Sequence, residues 1–442
     1  VIALNLLYLL VGIAALPWVI WRKISNKRPV AAIRERFTGR IFVADCPRDH
    51  CRIWLHGVSV GEIQLLRTLI SELEKQARLK KQHIDCVLSS STTTGLEVAT
   101  RGHQKDHVFP CPLDFSWAIK KTLDRVRPDL LVLGELELWP NLLRIAEEYR
   151  IPVLVVNGRM SQRSYQGYSR IRCFAGTMLQ RVSLVLSRSQ EDSERFKTLG
   201  APAVETIGSL KFDGIRGDEH QDEIKQLKKS IGIDDDDFIF VAGSTQQPEE
   251  MLAVETFLQQ QKIHPHLKLI LVPRHVERCR QLEGSLAKRL RQPDASHIPM
   301  YCRSTLNGET IPPPEESFIL LVDVTGELAA LWGLATVAFV GGSLDGVRGG
   351  QNMLEPAAHG AAICFGPYTR NFHHEVSTLL KAEAAVVIHN GEELTEFVAQ
   401  CLNDSAFSRA LGTNAKKVIE TNRGGTMLTA KRILEFLPVI SS

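Results

Sequence analysis

Short apolar runs alternating with helix-spaced apolar stripes set the tightest limit on how this chain can fold. Arg52–Leu55, Asp85–Ser89, His107–Phe109, Leu130–Leu133, Val153–Asn157 and Leu184–Ser187 read as strands, with helical stripes between them that include Phe115–Arg127 and Ser189–Leu199. Strands apolar along their whole length are buried on both faces, and strands separated by helices join through crossovers. The pattern therefore predicts a parallel sheet covered on both sides. It breaks over 209–237, a polar stretch ending in the aspartate run Asp234–Asp237, which reads as a linker. The alternation then restarts with Phe238–Ala242, Lys268–Val272, Phe318–Val322, Val337–Val340, Ala362–Phe365 and Ala385–Ile388. Helices Met251–Gln260, Val276–Arg289 and Phe372–Lys381 lie between these strands, and Asn307–Pro314 reads as a surface loop. The predicted fold class is α/β: two doubly wound Rossmann-like domains, 51–208 and 238–405, facing across a cleft, with terminal helices over 406–442. Open parallel sheets bind ligands at the carboxyl ends of their strands, so the chemistry is expected in the strand-end loops.

The first residues differ from the rest. No Asp, Glu, Lys or Arg occurs from Val1 to Trp21, and Arg22, Lys23, Lys27 and Arg28 follow. A helix needs about 20 apolar residues to cross a bilayer. Basic flanking residues favour the cytoplasmic side. The reading is a membrane anchor over 1–22, spanning or lying in the interface, and a basic linker or interfacial segment over 23–50, with the domains on the cytoplasmic face; a buried core helix is a rival reading. A secretory signal would instead carry its basic residues ahead of the apolar run. A net charge of +3 argues against a dedicated nucleic-acid binder, so any basic patch is local. Nine cysteines with no C-x-x-C pair read as reduced thiols, with no zinc site and no other metal-ligand spacing.

WLHGVSVGE (54–62) contains G-x-S-x-G through Gly57, Ser59 and Gly61, between a strand and a helix. A hydrolase elbow needs earlier strands to supply part of its oxyanion hole, and none precedes this one. Glu62 stands at the helix start, where the dipole favours its charged form. It reads as a general base, with Gly57 and Gly61 bringing backbone close to a ligand; a serine hydrolase built on Ser59 is the rival reading. In LVLGELELWPN, Glu135 and Glu137 lie just past a strand and, as extended residues two apart, would point the same way. Arg159, Ser161, Arg163, Ser164, Arg170 and Arg172 form a local cationic segment, suited either to a phosphorylated acceptor or to a solvated helix face.

In the second half, Gly341, Gly342, Gly346, Gly349 and Gly350 lead from a strand into a helix near Asn352, with Glu355 in its first turn. Such a loop either holds phosphate on backbone N–H groups or is a glycine-rich turn. Arg274 and His275, after Pro273, sit at another strand end as a phosphate grip or an ordinary surface pair. Gly243, Ser244 and Thr245 close a third such loop.

HGVSVGE (56–62), STTTGLEVA (91–99), LELWPN (136–141), NGRMS (157–161), GSLKFD (208–213), LVPRH (271–275), FVGGSL (339–344), NMLEPAAHG (352–360) and GPYTRNF (366–372) occur in order. Together with the N-terminal apolar segment they closely resemble the 3-deoxy-D-manno-octulosonate (Kdo) transferase family of lipopolysaccharide synthesis. The resemblance implies a glycosyltransferase-B type fold, CMP-Kdo as donor, a lipid A precursor as acceptor, the cell inner membrane as location and no cofactor. It implies Glu62 as base, Glu135 or Glu137 as a second essential acid, and acceptor binding in the first domain, where Ser59, Gly61, Arg159, Ser161, Arg163 and Lys211 fall. Ser244, Thr245, Pro273, Arg274, His275, Gly341, Gly342, Ser343, Asn352 and Glu355 would contact the donor. Gln246 and Gln351 depart from the family, where histidine is common; both keep hydrogen-bonding capacity and lose a titratable ring. The expected reaction is inverting and metal-independent, with CMP departure stabilised by Arg274 and the helix start near Asn352. A transferase of the same fold using another nucleotide sugar is the alternative.

Overall fold

The structure, a computed structural model, describes residues 4–10, 32–215, 217, 221–306 and 317–438. It divides into two compact units, Val1–Gly214 with Arg423–Ser442, and Ile215–Asn422.

In the first unit, strands β1 (Cys51–Gly57), β2 (Ile84–Ser90), β3 (Val108–Pro110), β4 (Leu130–Gly134), β5 (Val153–Gly158), β6 (Leu184–Ser187) and β7 (Val204–Thr206) form a parallel sheet. Its order is β3-β2-β1-β4-β5-β6-β7, so the strand sequence reverses between β1 and β4. The two-residue period of the strands builds both faces. Ile53, Leu55, Leu130, Val132, Leu154 and Val156 pack on one side, and Trp54, Leu131, Leu133, Val153 and Val155 on the other. Helix Val60–Leu79 covers the first face with Ile63, Leu66, Leu69, Ile70 and Leu73. Each such side chain contributes about 1.5–3 kcal/mol by leaving water. Helix Gly425–Glu435 joins that face through Ala430, Ile433 and Leu434. Asp213 fixes its start, accepting from Gly424 N and Thr426 N, each at 2.6 Å. The terminal helices expected over 406–442 part at the expected break near Arg423–Gly425: Ser405–Asn422 lies in the second unit and Gly425–Glu435 in the first.

The second unit repeats the plan with β8 (Phe238–Thr245), β9 (Leu267–Pro273), β10 (Met300–Cys302), β11 (Ile319–Leu321), β12 (Val337–Val340), β13 (Ala362–Phe365) and β14 (Ala385–Val387). The order is β10-β11-β9-β8-β12-β13-β14, and the reversal falls between β8 and β12. The polar stretch read as a linker contains helix Gln221–Ser230, which buries Ile224 and Leu227, and from Ile215 onward it belongs to this unit.

The anchor expected over 1–22 lies outside the described residues except for 4–10, as do Arg22, Lys23, Lys27, Arg28 and the loop Asn307–Pro314. Residues 4–10 are helical, and Asn5 is tied to the first unit. Its Nδ2 donates to Ser116 Oγ at 2.7 Å, while its Oδ1 accepts from Ser116 N at 3.2 Å and from Asn141 Nδ2 at 3.1 Å. Among the described residues no helix is long and apolar enough to cross a membrane. All nine cysteines are unpaired.

Candidate active site

Each sheet carries a polar cluster at its switch point, where an open α/β sheet leaves a crevice. In the first unit β1 ends at Gly57 and the chain turns through Val58 into a helix capped by Ser59. Ser59 Oγ accepts from Glu62 N at 3.2 Å. The Glu62 carboxylate accepts from Val58 N at 3.0 Å, Ser59 N at 3.2 Å and the Ser59 hydroxyl at 2.7 Å. This is a reciprocal capping box. It answers the nucleophile question: the Ser59 hydroxyl donates to a carboxylate at the helix cap, not to an imidazole. Three donors occupy about four lone-pair sites, so the Glu62 carboxylate keeps room for one more proton. A Cβ on Gly57 would lie 3.1 Å from Glu62 Cβ, and one on Gly134 would lie 3.6 Å from Glu62 Oε2. Glu62 therefore stands over the ends of both β1 and β4. Gly61 meets only Ser59 Oγ, at 3.9 Å, and its surroundings are open.

Glu135 and Glu137 follow β4 in a turn, not in extended chain, and Glu135 adopts φ 50°. The expected two-residue alternation does not apply, yet both acids feel Glu62. Burial pushes the Glu135 carboxyl up, Glu62 adds to this, and the charges of Lys211, Arg159 and Arg188 oppose it. Burial, then Glu62, push Glu137 to about 7, against a 3.0 Å hydrogen bond from Trp139 Nε1. A carboxyl titrating there can exchange protons at neutral pH. Arg159 and Lys211 thus join the acidic cluster. Ser161 caps helix Gln162–Arg170, which buries none of its residues, and Arg163 is exposed on it.

Sequence reasoning missed two residues here. Arg188 is buried and donates from Nε to Asp192 Oδ2 at 3.0 Å. His56 is fully buried one residue before Gly57, with Nδ1 2.9 Å from Ser89 Oγ, and burial lowers its pKa to about 4. The ring is neutral at pH 7.

In the second unit β8 ends in Ser244, at φ 54°, and the fully buried Thr245, whose carbonyl accepts from Arg274 N at 2.9 Å. Pro273 ends β9 beside Thr245, while the Arg274 and His275 side chains are exposed. Asn352 Nδ2 donates to Glu355 Oε1 at 2.9 Å and Asn352 Oδ1 accepts from Leu354 N at 3.2 Å. Burial raises the Glu355 carboxyl, opposed by Asn352, by the Trp332 indole and by the charge of Arg274. Trp332 is a further residue the sequence did not single out. A Cβ on Gly243 would lie 2.4 Å from its ring.

Two expectations change. The amides of Gly342, Ser343 and Leu344 are not open to an external anion: they hydrogen-bond the Glu249 carboxylate at 2.7–3.1 Å. The helix after Asn352 is Leu354–His359, six residues, too short to carry much dipole. Gln246 and Gln351 meet at Gly342, where a Cβ would lie 3.7 and 3.3 Å from their Nε2 atoms. Spacing gave no metal ligands, but folding gathers Asp49, His50 and His83 at the amino ends of β1 and β2, whereas Glu62 lies past the carboxyl end of β1.

Two parallel-sheet α/β units, each with its cluster at a strand-order reversal, define a protein of glycosyltransferase-B type. The fold is shared with UDP-GlcNAc 2-epimerase from Neisseria meningitidis (TM-score 0.55, 12% identity, 87% of this chain and 99% of that one). The family described as 3-Deoxy-D-manno-octulosonic-acid transferase (kdotransferase) matches residues 31–214. The 3-deoxy-D-manno-octulosonic acid transferase of Haemophilus influenzae is 30% identical over 89% of this chain and 88% of its own length. A bifunctional glycosyltransferase/methyltransferase of Fusobacterium nucleatum is 32% identical over 81% of this chain, which spans 53% of that protein. The chain belongs to the 3-deoxy-D-manno-octulosonic acid transferase family and is a glycosyltransferase.

Proposed function

We propose that the chain transfers Kdo from CMP-Kdo to a lipid A precursor, with inversion and without a metal ion. The single observation that carries this reading is the Glu62 carboxylate, held by three donors at the end of β1 with one lone-pair site left, beside two further carboxyls. Glu62 takes the proton of the attacking acceptor hydroxyl. Glu137, poised at about 7, passes it on. Ser59 and Gly61 line the acceptor, and Arg159, Ser161, Arg163 and Lys211 bind its anionic groups. In the second unit Arg274 and His275 bind the phosphate, Ser244, Thr245 and Pro273 shape the nucleotide site, and Asn352 with Glu355 binds hydroxyls. The Gly341–Gly342–Ser343 loop contributes shape. The arginine neutralises the charge that builds on departing CMP. The apolar N-terminal segment, tied to the first unit through Asn5, serves as an interfacial anchor that brings that unit to its lipid acceptor, on the cytoplasmic face of the inner membrane.

CMP, and not UDP or GDP, is expected to raise the melting temperature. Arg274→Ala weakens CMP about tenfold or more, the worth of a hydrogen bond to a charged group. Equal stabilisation by UDP would reassign the donor. Transfer is expected to persist after EDTA treatment and in EDTA-containing buffer; loss of activity restored by a divalent cation would overturn the metal-free step. Incubation with CMP-Kdo and a tetra-acylated lipid A precursor, read by mass spectrometry, tests the whole reading.

A further inference from the structure

We propose that Glu249 is a positioning residue: an internal carboxylate that fills the glycine loop's anion nest and clamps the β12 loop in the shape the donor site needs. The donor's phosphate is then bound elsewhere, by exposed side chains and not by these amides. The inference rests on the reading of the second unit as the donor domain.

Glu249 opens helix Glu249–Gln260 and is 3% exposed. Its Oε1 accepts from Ser343 N at 3.0 Å and Leu344 N at 3.1 Å, and its Oε2 from Gly342 N at 2.7 Å and Gln246 N at 3.0 Å. Four donors fill the lone-pair sites of an ionised carboxylate. One of them belongs to the loop after β8 and three to the loop after β12, the two strands that flank the switch point. The carboxylate is thus a bridge across the crevice in which ligands of such sheets bind. The backbone is cut to admit it. A Cβ on Gly341 would lie 2.8 Å from Glu249 Oε2 and 2.6 Å from Thr245 Cα, and Gly342 takes φ 67°. From the other side Ser343 Oγ donates to Val340 O at 2.7 Å and accepts from Gly366 N at 2.8 Å.

Three successive amides aimed at one point are the usual design for phosphate. Here a phosphate would have to evict a buried carboxylate and leave its charge without partners, which is strongly unfavourable. It would gain from the amides only what Glu249 had lost. A fixed negative charge at that spot also repels a phosphate, so the cation that balances the donor must come from outside the loop. Arg274 is placed for this, one residue past the end of β9, with its N–H on Thr245 O at 2.9 Å.

The test uses the full chain and its Glu249→Gln and Glu249→Asp variants. Glutamine turns an NH2 toward N–H donors, and aspartate is one methylene short, so each breaks part of the clamp. Without nucleotide, hydrogen exchange at residues 342–344 is expected to be slow in the wild type and fast in the variants, with β8 and β12 still protected. In the variants CMP affinity falls about tenfold or more and KM for the donor rises, with KM for the acceptor unchanged. A role in fold stability alone would lower the melting temperature and the active fraction, not shift these constants. Unprotected amides in the wild type would overturn the proposal even if neither variant folds. Tighter CMP binding in the variants would show a placeholder that phosphate displaces, and unchanged binding a passive cap. Should the wild type bind UDP or GDP but not CMP, the donor reading fails, and the clamp is read on that nucleotide and on the exchange data.

Discussion

With Glu62 replaced by glutamine, turnover falls by about 100-fold or more while CMP affinity stays at the wild-type value. The substitution separates base from cap. Glutamine is accepted at the third position of a capping box, so the helix Val60–Leu79 keeps its start. The amide oxygen still accepts from Ser59; what is removed is the charge, the acceptor facing Val58 N and the capacity to take a proton. Ser59→Ala is the control with the opposite character. It deletes the cap acceptor for Glu62 N, at a stability cost of about 0.5–2 kcal/mol, and leaves a carboxylate in place. Steady-state kinetics with thermal melts on both variants check this. Near-wild-type turnover in Glu62→Gln would make Glu62 a helix cap and nothing more.

Glu137→Gln is expected to give a protein that is more stable and far less active at pH 8. Burial and the Glu62 charge hold Glu137 near 7 in the folded chain, against about 4.3 for a free glutamate. The folded form therefore keeps a proton that the unfolded form releases. The stability this lends is complete below pH ~4.3 and is lost as pH rises through about 7. Each pKa unit is worth about 1.4 kcal/mol. Glu137 is partly open to solvent, which screens the effect, so a gain of about 1–2 kcal/mol is expected for the glutamine variant at pH 8 and none at pH 4. Turnover should rise with pH through about 7 in the wild type, as the group ionises and can receive the proton. In the variant that rise should vanish and the plateau drop by about 100-fold. Denaturant melts and pH–rate profiles measure the two effects; a profile identical to the wild type would remove Glu137 from the chemistry.

The sheets were legible because their strands are apolar on both faces: Ile53 and Leu55 serve one core and Trp54 the other. Of the edge strands, β3 and β14 were legible and β7 and β10 were not. Val204–Thr206 and Met300–Cys302 are short and half-exposed and leave no apolar run. Helix Gln221–Ser230 hid in a polar stretch because only Ile224 and Leu227 are buried. The same distinction between local and distant partners runs through the site. Glu62 could be singled out because its partners Val58 and Ser59 are neighbours in sequence. Glu249 could not, since three of the four amides it holds lie 93–95 residues away. The loop's glycines pointed to a bound phosphate or to a plain turn; nothing in their spacing said that the anion on their amides is part of the protein. Glu135 and Glu137 were found for a reason that failed, since the strand alternation ends before them, and the shared field of Glu62 is what couples them.

Helix Gly425–Glu435 has a consequence for how the protein is made. Its residues leave the ribosome only after all of 215–422, yet Ala430, Ile433 and Leu434 complete the core laid down by Ile53, Leu55 and Leu66. The first sheet therefore waits, with part of the face that helix Val60–Leu79 covers still open, while the second unit is synthesised. During that interval the nascent chain presents a surface for chaperones or for aggregation. A fragment cut at 214 would keep that surface permanently.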